Sequence, residues 1–235
     1  VNLARARLLP SLNLGALELG WVQAVRVSED TCRIIAAAGE EHQIAISVHA
    51  PYFINLNADS EEWPKSRQRL MDAAHYGWLA GATDIIFHPG SYFGNTPADV
   101  LKIAIPRLAE CVQELRAAGN PVTLRPETMG KSALFGSLMD TIEMATAIPG
   151  VLPCIDFAHL HARNGDGSIN THPEFRALLE NYKSHLGTDS LSKLHIHLSG
   201  IEYGPKGEKN HLPIEESDLH LKELFEALKE MECGG

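Results

Sequence analysis

Apolar, β-rich runs alternate with segments of helical period along this 235-residue chain, and five of those runs stop on a residue that can bind a metal. Together these observations predict an α/β fold in which parallel strands, joined by crossover helices, carry functional groups at one end. A TIM (β/α)8-type barrel satisfies both, because it gathers the ends of all its strands around one mouth. An open sheet with ligands at a switch point is the other architecture with this element order.

The expected strands are 16–22, 44–49, 84–88, 121–126, 151–156 and 193–198. Ser28, followed by Glu29 and Asp30, is expected to cap a helix running to about 40. Further helical periods cover 60–81, 97–118, 136–147, 173–187 and 216–232. Pro97 suits the start of its helix, where a missing N–H costs little. The first twenty residues read as a helix leading into a strand. Six strand–helix units are two short of eight, so we expect 1–235 to be a single, partial barrel domain lacking the first and last strands.

Composition narrows the function classes. A hydrophobic content of 44% is enough for a full core. The net charge of -10, from 20 Lys+Arg against 30 Asp+Glu, argues against a generally basic nucleic-acid surface. A local site survives that argument, because bound metal ions supply positive charge that a residue count misses. Cys32, Cys111, Cys154 and Cys233 form no CxxC pair, which speaks against a zinc ribbon or a disulfide framework and for a reducing cytoplasm. No stretch resembles a signal peptide and no apolar run reaches the roughly 18–20 residues of a membrane span. Neither a membrane nor an obligate protein partner is indicated.

The chemistry sits at the strand ends: ISVHAP with His49, IIFHPG with His88, VTLRPE with Glu127, LPCIDFAH with Asp156 and His159, and LHIHLSG with His197. Side chains alternate along a strand, so Ile46 and Val48 should face the helices while Ser47 and His49 face the other way. The same parity groups Thr123 with Arg125 and Glu127, Cys154 with Asp156, and His195 with His197. His159 then falls in a loop one turn beyond its strand, and His195, one layer below His197, is expected to pack rather than ligate. A mixed imidazole and carboxylate set without cysteine suits a catalytic Zn²⁺, Mn²⁺ or Fe²⁺ site, and Glu127 can bridge two ions. His161, two residues past His159, is a further candidate. His42, His75, His172, His185 and His220 read as ordinary surface or partly buried residues.

At these residues the chain resembles the endonuclease IV family, zinc-dependent apurinic/apyrimidinic endonucleases built on a xylose-isomerase-like TIM barrel, and is most similar to its short members. The likeness runs from about 14 to about 213 through HAPYFINL, FHPGSYFG, PETMGKSALFG, CIDFAHLHAR and HIHLSG, then HLPI. It implies that His49 and His88 hold one zinc, which Glu127 bridges to a second zinc bound by Asp156 and His197. His159 and His211 would hold a third. The family usually supplies an Asp two residues before the second of these histidines; here that position is Lys209, with Glu208 beside it, so either the third metal is weaker or absent, or Glu208 or His161 substitutes. A final Glu expected from the last strand does not occur before Gly235.

The resemblance further implies hydrolysis of the phosphodiester 5′ to abasic sites in double-stranded DNA, by a metal-activated hydroxide, with two or three zinc ions as cofactors. Tyr52 and Phe53 would act as wedges at the lesion. Gln23 and Arg26, after the first strand, and Lys131 with Ser132 and Lys206 with Lys209 are weaker candidates for DNA contact. A metal-dependent sugar or sugar-phosphate isomerase or epimerase of the same barrel is the strongest rival, for which Arg125 and His161 would meet a small anionic substrate. A catalytically impaired metal- or DNA-binding relative is the other.

Overall fold

The computed structural model describes residues 14–235, so the expected first helix lies outside the described residues. The described residues pack as two compact units, residues 14–90 with 102–125 and residues 91–101 with 126–235.

The first unit carries a sheet of strand order β1-β2-β3-β4, formed by Ala16–Gly20, Ala45–His49, Ala82–Phe87 and Thr123–Pro126. β1 pairs parallel with β2, and β2 with β3. Helix α1, Glu29–His42, begins as its sequence requires: the Ser28 hydroxyl accepts from the Thr31 amide at 3.3 Å, a cap that stabilises by about 1 kcal/mol. Helix α2 spans Trp63–Leu79 and α3 Pro97–Ala117, the latter starting on the expected proline.

Glycines set how closely these helices approach the sheet. A Cβ on Gly39 of α1 would lie 2.6 Å from Ile46 Cδ1, and one on Gly77 of α2 the same distance from Ile85 Cδ1. Ile46 and Val48 therefore do face the helices and are buried. On the opposite face Ser47 Oγ donates to Glu18 Oε2 at 3.1 Å, and Arg125 Nε is bonded to Asp84. With Ser47 paired to Asp84 in register, this polar row crosses all four strands one pleat before His49.

The second unit pairs β5, Cys154–Asp156, in parallel with β6, His195–His197. Glu127 bridges to Cys154 alongside them. Helices α4 (Leu138–Ala147), α5 (Phe157–Ala162), α6 (His172–Leu186) and α7 (Leu221–Glu230) complete it. Phe157, Phe175, Leu179, Tyr182 and Leu224 form its core with Leu194, while Ile196 and Leu198 pack against that cluster, on the side opposite the strand-end ligands. Burying each such side chain is worth roughly 1.5–3 kcal/mol.

Two expectations need correction here. His159 lies in helix α5 rather than in a loop, because the Asp156 carboxylate caps that helix by accepting from the His159 amide at 2.7 Å. Beyond Leu198, where no element was expected, β7, Gly200–Gly204, and β8, Gly207–Leu212, form an antiparallel hairpin. Its turn depends on Gly207, which has φ +91° and passes so close to Gly130 O that a Cβ would lie 2.4 Å away.

Candidate metal centre

In the first unit His49 ends β2 and His88 follows β3 directly. Their rings meet edge to face with centroids 5.1 Å apart, and Tyr52 stacks on His88 at 4.9 Å. His49 Nδ1 lies 2.8 Å from Ala50 O. That contact assigns the proton to Nδ1 and makes Nε2 the nitrogen that could hold a metal, the arrangement second-shell hydrogen bonds give metal-bound histidines.

The loop after His49 is tied down at several points. Arg107 of α3 donates to Leu56 O and Ala58 O at 2.7 and 2.8 Å, and Arg69 of α2 donates to Phe53 O at 2.8 Å. The backbone is thus held while Tyr52 and Phe53 stand 46% and 59% exposed. Large apolar side chains presented by an anchored loop are available to a partner at low ordering cost. Gln23 and Arg26 are exposed between β1 and α1.

In the second unit Glu127, Asp156 and His159 are all buried, with ligand atoms within 4.8 Å of one another. Glu127 Oε1 lies 2.8 Å from His197 Nδ1, and Asp156 pairs with His197 in register. Thr128 joins the two segments: its hydroxyl accepts from the Asp156 amide at 2.9 Å and donates to Asp156 O at 3.2 Å. Burial pushes the Asp156 carboxyl above its ordinary value, and the neighbouring Glu127 charge adds to that effect. Burial pulls His159 down, but Asp156, Glu127 and Glu208 outweigh it and the net direction is up. Two buried carboxylates and a proton-seeking imidazole form a pocket of negative charge that a cation would neutralise.

His159 turns a second set of donors toward the same helix end. Its Nδ1 contacts Thr128 O at 2.8 Å, which leaves Nε2 directed at Glu208 Oε2, 3.7 Å away. His211 completes this set: its Nδ1 contacts Ser199 Oγ at 2.8 Å, and its Nε2 lies 3.9 Å from Glu208 Oε1. The ligand atoms of His159, Glu208 and His211 lie within 4.8 Å of one another. Gly130 makes room for Glu208, since a Cβ there would come within 2.7 Å of its carboxylate.

A bulge brings Glu208 to this side. In the hairpin Glu202 pairs with Asn210 but Tyr203 pairs with Glu208, so Lys209 has no register partner. The extra residue reverses the alternation, so Glu208 and His211, three apart, fall on one face. Lys209 points away and pairs with Glu202 Oε1 at 3.1 Å. His161 is directed elsewhere: although fully buried, its Nδ1 contacts Ser168 O at 2.9 Å and its Nε2 contacts Asp218 Oδ1 at 3.0 Å. Lys131, Ser132 and Lys206 are exposed, Lys206 in the hairpin turn, whose Gly207 abuts the Lys131 backbone. Arg163 fixes the segment that carries Lys131, donating to Met129 O, Lys131 O and Leu134 O at 2.8–2.9 Å.

Parity did not anticipate one further group. Cys154, His195 and His197 also bring one ligand atom each within 4.8 Å. The signal was present, since Cys154 shares a face with Asp156 and His195 with His197, but strand register was needed to join them. Among the described residues no helix is long and apolar enough to cross a membrane.

The donor sets, nitrogen and oxygen from histidines and carboxylates, fit divalent ions such as Zn²⁺, Mn²⁺ or Fe²⁺. Known proteins agree with the architecture. The uncharacterized protein MJ0133 of Methanocaldococcus jannaschii is 38% identical, over 97% of this chain and 82% of its own length. A probable endonuclease 4 of Oceanobacillus iheyensis is 29% identical over 74% of this chain, which spans 60% of that relative's length. In three dimensions the chain is similar to endonuclease IV from Thermus thermophilus, with a TM-score of 0.74 and 20% identity over 97% of this chain and 84% of that one. It is also similar to a D-tagatose 3-epimerase-like protein, with a TM-score of 0.69 and 21% identity over 95% and 80% of the two chains. At these identities the likeness speaks for the fold alone. A family model described as xylose isomerase-like TIM barrel matches residues 6–235, and the chain, an α/β protein of parallel strands and crossover helices, belongs to that family.

Proposed function

We propose that this chain is a metal-dependent phosphodiesterase that cuts double-stranded DNA on the 5′ side of abasic sites. The observation that carries the reading is that the second unit gathers two adjoining sets of donors. Glu127, Asp156 and His159 form one, with His197 Nδ1 bonded to Glu127, and His159 with Glu208 and His211 form the other, so that His159 stands between the two. A sugar isomerase or epimerase needs one ion, or two with a lysine or glutamate base, whereas a phosphodiester in displacement has several oxygens to stabilise.

In this reading His49 and His88 are ligands from the first unit, and Glu127, Asp156, His159, His197, Glu208 and His211 from the second. Bound divalent ions, with zinc as the expected metal, supply Lewis-acid polarisation of the phosphate and acidify water at neutral pH. The chain's own residues position the substrate. Tyr52 and Phe53 stack at the gap left by the missing base, where unstacking is cheapest. Lys131 and Lys206 meet backbone phosphates, adding affinity that falls as salt rises. Buried Arg125, engaged with Asp84, and His161, engaged with Ser168 and Asp218, disfavour the small anionic sugar as substrate.

The test is incision of a duplex carrying one tetrahydrofuran abasic analogue, with and without chelator. We expect a metal-dependent cut on the 5′ side. No cut in the presence of Zn²⁺, Mn²⁺ or Fe²⁺ would overturn the reading, and turnover of ketose or aldose phosphates would replace it with the isomerase.

A further inference from the structure

We infer that Cys154, His195 and His197 form a further binding site for a thiophilic divalent cation, Zn²⁺ or a chemical relative such as Co²⁺ or Cd²⁺, one pleat below the carboxylates and sharing His197 with them. This inference does not rest on the phosphodiesterase reading, although both use His197. Cys154 and His195 are register partners across β5 and β6, and Asp156 and His197 are the next partners along the same two strands. Residues two apart share a face, so these strands carry two stacked layers of donors: a sulfur and an imidazole below, a carboxylate and an imidazole above.

His197 belongs to both layers. Its ring meets that of His195 edge to face at 5.5 Å, while its Nδ1 contacts Glu127 Oε1 at 2.8 Å. Sulfur and two imidazole nitrogens lie within 4.8 Å of one another, close enough for one ion to reach all three. Bond lengths of about 2.3 Å for Zn–S and 2.0–2.1 Å for Zn–N put such donors roughly 3.3–3.6 Å apart. Cys154 is fully buried and His195 and His197 half-buried, so the thiol lies innermost and the imidazoles lie between it and solvent.

Binding converts the Cys154 thiol to a thiolate, with the proton released to solvent, and leaves a fourth position for water. The donor chemistry separates this position from the upper layer. Thiolate and imidazole favour softer ions, whereas carboxylate-rich sets accept Mn²⁺ and Mg²⁺ as well. An ion in the lower position also draws His197 away from Glu127.

The experiment is titration of the metal-stripped full chain with Co²⁺, following the near-ultraviolet thiolate-to-cobalt charge-transfer band. We expect the band in the parent chain and in His49→Ala and Cys233→Ser, its loss in Cys154→Ser, and at least tenfold weaker Co²⁺ binding in His195→Gln. X-ray absorption of the zinc-loaded parent needs no variant and should contain a sulfur scatterer at about 2.3 Å. A purely nitrogen and oxygen shell at metal saturation, or a band that survives Cys154→Ser, would overturn the proposal. Because the readout is spectroscopic, failure to cut DNA would leave it standing, and a missing sulfur shell would leave the nuclease reading standing.

Discussion

His49 and His88 reach their neighbourhood through strand alternation, one as the last residue of β2 and the other directly after β3. Glu208 and His211 reach theirs only through a hairpin, a bulge at Lys209 and a glycine at 130 that leaves space for a carboxylate. The first unit therefore presents candidate ligands whose direction follows from local geometry. The second gathers donors from strand ends, a helix and a hairpin, and their positions depend on how distant segments pair. The contrast teaches that a buried acidic cluster needs more scaffolding than a histidine pair, because each charge must be oriented as well as enclosed.

The largest expected effect breaks the second unit at its centre. Glu127→Gln should lower abasic-site incision by about 10³-fold or more, since an ion held by a carboxylate contributes several kcal/mol to the transition state. Single-turnover rates on the tetrahydrofuran duplex measure it, and a loss below tenfold would remove Glu127 from the site.

Next comes the hairpin. Glu208→Gln should reduce bound zinc by one ion per chain, or weaken it roughly 10–100-fold, whereas Lys209→Ala should leave metal content unchanged. Elemental analysis of both variants decides, and the reverse outcome would mean that the bulge does not supply a ligand. Thr128→Val is a milder test of positioning. It leaves the buried Asp156 amide without its hydroxyl acceptor, so unfolding should become easier by about 1–3 kcal/mol, read by denaturant melts.

In the first unit Phe53→Ala should raise KM for the abasic duplex with little change in thermal stability, because the side chain is exposed. The stacking lost is about 1–3 kcal/mol per base. Equal KM values with and without the ring would limit the loop to packing.

The smallest effect concerns Asp218. Burial alone would raise its carboxyl, but hydrogen bonds from Tyr203 and His161 prevail and hold it below the ordinary value. A depressed folded value adds stability that is present above the unfolded value, about 3.9, and disappears as pH falls through the folded one. The melting-temperature difference between the parent and Asp218→Asn should therefore stay constant above about pH 5 and shrink below about pH 4. A difference that grows on acidification would contradict the assigned bonds.

Much of the fold was legible because its signals are local. Alternation in AISVHAP and KLHIHLSG assigned the helix-facing side of both strands, and Ser28 and Pro97 marked helix starts. Helix α5 was missed because its only start signal, Asp156, also reads as a ligand; here one carboxylate does both, capping the helix and facing His159. The hairpin was missed because GPKGEKN has the composition of a solvated turn, and nothing in it states which residue will be bulged.

By itself, then, the sequence determined the order of strands and helices and which strand ends carry candidate metal-binding side chains, because period and spacing are properties of neighbouring residues. Only the tertiary structure decided that Glu208 and not Lys209 joins His159, that His161 is tied to Asp218, and that Cys154 lies beside His195. Those outcomes depend on register between segments tens of residues apart, where one extra residue reverses every side chain that follows.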